Sequence, residues 1–143
     1  MSRSSLDAQQ IEVGSDLPTL IVRFTRTTLV RYAGASGDFN PIHFSDHFAA
    51  KVGLPGVIAH GMLTMGTALR VVTDWVRDPA KVTSYFVRFS NPVVVPDDEN
   101  GVEVSFTARV AAVESNRVSI AIEATSGGQK VLGAARAEVD LGS

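Results

Sequence analysis

The chain has 143 residues, 45% of them apolar, which is enough for one domain with a buried core. Its 13 basic and 15 acidic side chains give a net charge of −2. This balance argues against a nucleic-acid partner, because binding to a phosphate backbone needs clustered excess positive charge. The chain contains no cysteine, which excludes disulfides, thiolate catalysis and zinc–thiolate sites.

The amino-terminal sequence MSRSSLDAQQ is polar and has no apolar stretch of the kind found in secretory signals. We therefore expect residues 1–12 to be a disordered N-terminus and residues 13–143 to form a single domain. The uncharged stretch 57–69 is shorter than the roughly 20 apolar residues that a membrane-spanning helix needs. These features favour a cytoplasmic protein without membrane insertion.

The first half of the domain is predicted to be one strand followed by helices. Residues 17–25 (LPTLIVRFT) are rich in β-branched and aromatic side chains, which is typical of a strand. Thr27 or Thr28 is expected to cap the next helix, which the glycines in 34–37 end. Ser45 is expected to cap a short second helix.

The longest helix is predicted at residues 61–76. Its first half has few polar side chains, so we expect the helix to be wrapped by other elements rather than to lie on a surface. Apolar or small residues recur there at three- and four-residue spacing, at Leu63, Gly66, Leu69, Val72 and Val76.

The second half of the chain alternates between apolar and polar residues, as strands with one buried face do. Strands are expected at 102–110, at 118–124 and at 130–141, with SGGQ as a hairpin turn. A further strand precedes them and is broken near Asn91-Pro92. The sum is an α+β domain in which an antiparallel sheet of about five strands wraps around one long central helix. Because such a sheet has exposed edge strands, we expect a dimer paired edge to edge.

The stretch SGDFNPIHFSD holds the first candidate site. Asp38 and His43 lie on either side of the Asn40-Pro41 turn, and the proline limits the conformations available to that turn. A carboxylate and an imidazole that share one water form a competent general acid/base pair. The alternative is structural: Asp38 makes only an Asx turn, and His43 is an ordinary loop residue.

His60 and Gly61 lie at the start of the long helix, where free N–H groups converge. A carbonyl oxygen resting on the Gly61 N–H would be polarised, which would stabilise developing enolate charge. Gly61 is otherwise explained by helix geometry or tight packing, and the preferred alternative for His60 is a capping or core role.

Two further interpretations concern side chains around this stretch. His43, His47 and His60, with Asp38 and Asp46, have the donor types of a Zn²⁺ site. Against such a site, His43 precedes the helix cap Ser45, so it does not share a helix with His47. Four aromatic residues are candidates for an acyl tunnel, although a core role is preferred for each: Tyr32, Trp75, Tyr85 and Phe86.

The segments YAGASGDFNPIHFSDHFA and GLPGVIAHGMLTMG resemble the hydratase-2 signature of MaoC-like hotdog proteins, and YFVRFSNPVVVPDD also fits that family. Within the family, the chain is most similar to the catalytic subunits of mycobacterial (3R)-hydroxyacyl-acyl-carrier-protein dehydratases. The resemblance implies a hotdog fold. It also implies that Asp38, His43 and the Gly61 N–H are catalytic, and that Asn40, Tyr32 and His60 lie at the substrate.

The implied reaction is loss of water from a (3R)-hydroxyacyl thioester, or hydration of a trans-2-enoyl thioester, in fatty-acid elongation. The substrate would be carried on acyl carrier protein or on CoA, and no metal or other cofactor is needed. The implied assembly is a homodimer or a heterodimer with a related hotdog chain. Two alternatives remain open: an (R)-specific enoyl-CoA hydratase of β-oxidation or polyester supply, and a non-catalytic hotdog subunit that binds acyl chains.

Overall fold

A computed structural model describes residues 6–142. Within this range the chain forms an antiparallel sheet and three α-helices, which confirms the predicted α+β class. The strands are β1 (Leu20–Phe24), β2 (Val82–Phe89), β3 (Val102–Glu114), β4 (Arg117–Ser126) and β5 (Gln129–Asp140), and the helices are α1 (Arg26–Ser36), α2 (Asp46–Lys51) and α3 (Gly61–Val76).

The sheet has five strands in the order β1-β3-β4-β5-β2, so β1 and β2 are its edges. The three long central strands are joined by tight hairpins. Gly127 and Gly128 form the β4–β5 turn, and both have positive φ (58° and 77°), as the SGGQ signal predicted. β2 follows α3 in the chain but pairs with β5. This topology places one face of the sheet against α3.

α3 begins and ends where the sequence predicts, but it is not buried on every side. Its buried positions are Thr64, Ala68, Val71, Val72 and Val76, which pack against the sheet. The opposite positions, Met62, Gly66 and Arg70, are exposed. The expectation that other elements wrap the helix therefore holds for one side only, and Gly66, one of the recurring positions, lies on the other side. Small side chains at 64 and 68 let the helix approach the sheet on its buried side.

The entry into α1 corrects the predicted cap. Thr25, not Thr27 or Thr28, is the N-cap, and its side chain accepts a hydrogen bond from the Thr28 N–H. The Thr28 hydroxyl in turn accepts the Thr25 N–H, so the two residues form a reciprocal capping box. The helix ends at Gly37, whose φ of 77° is the left-handed conformation that favours glycine.

The segment before α3 is tied to the segment after β2. The Ala59 N–H donates to the Val93 carbonyl (2.8 Å), and the Val95 N–H donates to the Val57 carbonyl (2.9 Å). These two bonds form a short antiparallel contact outside the main sheet. They fix the position of the chain immediately before His60.

The expected disordered segment 1–12 is described only in part. Residues 1–5 lie outside the described residues, whereas Ala8–Gln10 form a single turn of 3-10 helix with Asp7 as its cap. Ala8 is buried in that turn. In the described part of the chain, no helix has both the length and the apolar character that a membrane crossing requires.

Candidate active site

The turn after α1 is built from consecutive side-chain-to-backbone hydrogen bonds. The Asp38 N–H donates to the Ser36 hydroxyl, and the Asn40 N–H donates to Asp38 Oδ1, both at 3.2 Å. Asn40 Oδ1 then accepts the Ile42 N–H at 3.1 Å, which caps a 3-10 turn over Pro41–His43. Asp38 therefore uses one carboxylate oxygen to hold the turn and keeps the other oxygen free of it.

His43 points from this turn toward the free oxygen of Asp38. Its Nδ1–H donates to the Ile58 carbonyl at 2.7 Å, and because a carbonyl only accepts, Nδ1 must carry the proton. Nε2 of the neutral ring therefore offers a lone pair, 3.9 Å from Asp38 Oδ2. That distance is too long for a direct hydrogen bond, and it suits two groups that share one small polar molecule between them.

The two members of this pair differ in exposure. The His43 side chain is 8% exposed, and the Asp38 side chain is 52% exposed. A buried imidazole beside an accessible carboxylate gives a site that is open on one side.

His60 lies directly behind the pair. Its ring stacks on His43 with centroids 3.8 Å apart and 21° between the planes, and Tyr32 meets it edge-on at 4.7 Å. His60 Nε2–H donates to the main-chain carbonyl of Asp38 at 3.1 Å. The ring is 1% exposed, and burial lowers the pKa of His60, an effect that the Asp38 carbonyl partly opposes. The ring is therefore neutral at neutral pH.

Gly61 follows His60 as the first residue of α3, so its N–H has no acceptor within the helix. The aromatic ring of Phe89 covers the other side of this glycine. A Cβ added at Gly61 would lie 3.1 Å from Phe89 Cε1 and 3.2 Å from Cζ, tighter than ordinary contacts. Glycine thus allows the phenyl ring to lie against the start of the helix.

A cavity of about 290 Å³ opens beside Gly61. Its wall is largely apolar and comes from the start of α3 and from the segment after β2. Asp38 and His43 do not line the cavity, but Ile58, whose carbonyl holds His43, does. The lining residues are Ile58, Ala59, Gly61, Thr64, Phe89, Ser90, Asn91, Pro92, Val93 and Val131.

The structure brings most of the predicted site residues together. Asp38, His43 and His60 offer polar atoms within 4.8 Å of one another, and Tyr32 packs on His60. Asn40 is exposed and holds the turn. Of the other aromatic residues, Trp75 and Tyr85 pack partly buried against the core, but Phe86 is 55% exposed on β2, so the core interpretation of Phe86 is wrong.

Sequence reasoning missed two contributors. Ile58 acts through its main-chain carbonyl, so no side-chain type could have signalled it. Phe89 approaches Gly61 from the distant strand β2, and that pairing depends on the tertiary fold.

The grouping of Asp38, His43 and His60 also bears on the metal alternative. One ion bound by two imidazoles must lie near the plane of each ring. The stacked rings of His43 and His60 have nearly parallel planes, so their lone pairs do not converge on one point. His47 is exposed on α2, and Asp46 pairs with Arg26 at 2.8 Å, so neither belongs to the group. The donor set does not fit a metal site.

Comparisons with known proteins identify dehydratases among the relatives of this chain. The chain is 39% identical over 79 residues to 3-hydroxyacyl-thioester dehydratase X of Mycobacterium tuberculosis, a match that covers 55% of this chain and 27% of that protein. It is 32% identical over 125 residues to 3-hydroxybutyryl-CoA dehydratase of Methylorubrum extorquens, covering 87% of this chain and 77% of that protein. The chain spans only 4% of a further relative, fatty acid synthase subunit beta of Saccharomyces cerevisiae.

Solved structures of other proteins share this fold. A solved structure of a MaoC-like dehydratase superposes with a TM-score of 0.91 at 36% identity, covering 95% of this chain and 42% of that one. The family model described as a MaoC like domain matches residues 9–130, which include the whole of the Asp38–Gly61 site. The chain therefore belongs to the MaoC-like family of hotdog-fold proteins, whose named relatives are dehydratases.

Proposed function

We propose that the protein is a (3R)-hydroxyacyl-thioester dehydratase that also catalyses the reverse reaction, hydration of a trans-2-enoyl thioester. The observation that carries this proposal is the position of His43 Nε2. Its lone pair can accept a proton, and it lies 3.9 Å from the free oxygen of Asp38. Both residues contact His60, which immediately precedes Gly61 at the start of α3. This arrangement supplies a base, a group that holds the leaving water, and a main-chain donor for the thioester oxygen.

In the dehydration direction, His43 Nε2 takes the proton from C2 of the substrate. Its Nδ1–H stays on the Ile58 carbonyl, so the ring is briefly an imidazolium held in place by that bond. The C3–O bond breaks, and the proton passes from Nε2 to the departing hydroxyl oxygen. Asp38 Oδ2 accepts a hydrogen bond from that hydroxyl throughout. Water leaves from the gap between the two side chains, on the same face of the substrate that lost the proton.

The thioester carbonyl gains negative charge while the C2 proton is lost. The Gly61 N–H, unpaired within α3 and at the positive end of the helix dipole, is the proposed donor to that oxygen. One such donor typically contributes about 10²–10³ in rate. The cavity beside Gly61 is the proposed place for an apolar part of the acyl thioester, because its wall is largely apolar. None of these steps needs a metal or redox cofactor.

The acyl group can be carried on acyl carrier protein or on CoA. The primary proposal is an acyl-carrier-protein thioester of fatty-acid elongation. The alternative is an (R)-specific enoyl-CoA hydratase. It is favoured by the similarity to 3-hydroxybutyryl-CoA dehydratase of Methylorubrum extorquens, because the name of that enzyme specifies a CoA thioester. Both substrates present the same reacting atoms to Asp38 and His43.

Spectrophotometric hydration assays test the proposal and separate these carriers. Crotonyl-CoA, a long-chain enoyl-CoA and the matching enoyl-acyl-carrier-protein are supplied in parallel, and the configuration of the product is determined by chiral chromatography. We expect (3R) product and the highest kcat/KM with the carrier-protein thioester. Equal or higher kcat/KM with CoA would favour the alternative. No hydration by the chain, alone or with a related hotdog subunit, would refute the function and leave the acyl-binding subunit.

The proposed assembly is a dimer, with itself or with a related chain. Both edges of the sheet are unpaired in the single chain, and β2 carries Phe86 and Phe89, each more than half exposed. Exposed edges and apolar side chains of this kind are typical of association surfaces. Light scattering at micromolar concentration is expected to give the mass of two chains, and a monomeric mass would contradict the edge-pairing argument.

A further inference from the structure

The proposed mechanism leaves one buried titratable side chain without a task. His60 is 1% exposed, yet it contacts both members of the acid/base pair, through the ring of His43 and through the backbone of Asp38. A buried imidazole is costly unless its polar atoms are satisfied. In the described part of the chain, its Nδ1 has no hydrogen-bond partner. The position therefore keeps a polar ring where an apolar one would be cheaper.

We propose that His60 is a positioning residue for the acid/base pair: its Nε2–H fixes the main chain of Asp38, and its ring fixes the plane of His43. The inference rests on the proposed function, and it replaces contact with substrate as the role of His60.

The first of the two contacts is the hydrogen bond from His60 to Asp38. The Asp38 carboxylate is half exposed and is held only by local turn bonds, so its main chain needs an anchor outside the turn. His60 Nε2–H supplies one at 3.1 Å, from a residue 22 positions later in the chain. Because the acceptor is the main-chain carbonyl, the bond orients Asp38 without consuming either carboxylate oxygen.

The second contact is the stack on His43. The hydrogen bond from Nδ1–H to the Ile58 carbonyl holds one atom of the His43 ring but still allows the ring to rotate about that bond. The nearly parallel His60 ring, with its centroid 3.8 Å away, blocks this rotation on one face. His60 also immediately precedes Gly61. His60 therefore sets the positions of the proposed base, carboxylate and oxyanion donor relative to one another. A displacement of about 1 Å between such groups can cost 10²-fold in rate.

Burial supports this assignment, because it lowers the pKa of His60 and keeps the ring neutral. A neutral ring next to His43 adds no charge that would oppose the imidazolium formed there during turnover. The hydrogen bond to Asp38 then requires the tautomer with the proton on Nε2.

Two substitutions separate the hydrogen bond from the ring. His60→Phe keeps an aromatic ring for stacking and loses the donor, and His60→Gln keeps an N–H near the Nε2 position and loses the ring. For His60→Phe we expect kcat to fall about 10- to 100-fold with KM nearly unchanged. His60→Gln restores the hydrogen bond without the stack, so we expect it to recover part of that loss but not wild-type kcat. Wild-type kcat in a folded His60→Phe variant, or no recovery in a folded His60→Gln variant, would overturn the role of the hydrogen bond, and wild-type kcat in His60→Gln would overturn the role of the stack.

Nitrogen-15 NMR of the wild-type chain tests the geometry without relying on a variant that folds. The chain has three histidines, so the ring signals are readily assigned. We expect the Nε2–H tautomer for His60 and the Nδ1–H tautomer for His43, and the Nδ1–H tautomer for His60 would overturn the assignment. A wild-type chain without hydratase activity would refute the proposed function instead, and the NMR result would still decide whether His60 holds Asp38.

Discussion

The Ile58 carbonyl accepts the Nδ1–H of His43 at 2.7 Å. In many imidazole bases the partner that sets the tautomer is another side chain, often a carboxylate. Here the partner is part of the main chain, in a segment that is itself paired with Val93. The fold therefore sets the tautomer of His43 and leaves one oxygen of Asp38 available for the proposed contact with the reacting hydroxyl.

Replacement of His43 by alanine removes the proposed base. His43→Ala is expected to abolish measurable hydration of an enoyl thioester, since a general base typically contributes about 10²–10⁴ in rate and His43 makes both proton transfers of the proposed mechanism. Steady-state kinetics measures the loss, and circular dichroism checks that the fold is retained. His47→Ala is the matched control, because His47 is exposed on α2 only four residues away. Near-normal turnover by His43→Ala would contradict the mechanism.

Asp38→Asn changes one oxygen for an amide and keeps the shape of the turn. Its remaining oxygen can still accept the Asn40 N–H, and the main-chain carbonyl can still accept from His60. We expect kcat to fall about 10²–10⁴-fold while substrate still binds. Kinetics and a binding titration with the product measure the two quantities separately. Asp74→Asn, an exposed site on α3, controls for loss of charge, and an equal effect of both substitutions would argue against a catalytic Asp38.

The proposed oxyanion donor at Gly61 can be removed without breaking α3. Proline suits the first position of a helix, and the φ of −60° and ψ of 132° at His60 suit a residue before proline. Gly61→Pro deletes the N–H and adds a Cβ, whereas Gly61→Ala adds only the Cβ, which presses on Phe89. Relative to Gly61→Ala, Gly61→Pro is expected to lose about 10²–10³ in kcat. Equal kcat in the two variants would remove Gly61 from the mechanism.

Gly66→Ala is the steric control for this pair. Gly66 lies on the exposed side of α3, and an added Cβ there meets no atom within 4 Å. We expect unchanged kcat and an unfolding free energy higher by up to about 1 kcal/mol, because alanine restricts the unfolded chain.

The raised pKa of Tyr85 predicts how the free energy of unfolding falls at high pH. Its hydroxyl donates to the Met65 carbonyl at 2.6 Å, and burial raises its pKa from 10.0 to about 12. Between these values the unfolded chain has lost the phenolic proton and the folded chain has kept it. The stabilising effect is therefore complete below pH 10 and is lost as pH rises toward 12. Ultraviolet titration of the folded protein should show this late ionisation, and Tyr85→Phe should remove it.

The helix at 61–76 and the hairpin at SGGQ were predictable because each is specified locally. A glycine-rich turn and a run of apolar residues act on the chain wherever they occur. The cap of α1 was not recognised because its box pairs Thr25 with Thr28, whereas the usual signature has Glu or Gln at the second position. Which face of α3 is buried depends on the neighbouring strands, and the spacing of apolar residues alone does not decide it.

The site shows the same division. Asp38 and His43 were predictable as a pair because a short turn joins them. The stack of His43 on His60 joins residues 17 positions apart and follows only from the way the segment before α3 lies against the turn. The Ile58 carbonyl could not be found from residue types, since every residue offers the same main-chain carbonyl group.

The segment from Ile58 to Gly61 contacts the turn through the N–H and carbonyl of Ile58 and through the ring of His60, and Gly61 follows directly. Side chains at 58 and 59 can therefore vary as long as they fill the space they occupy. A single inserted or deleted residue between 58 and 61 would instead change the spacing of the Ile58 carbonyl, the His60 imidazole and the Gly61 N–H, which the proposed mechanism uses together. At positions 58 and 59, chain length therefore matters more than residue identity.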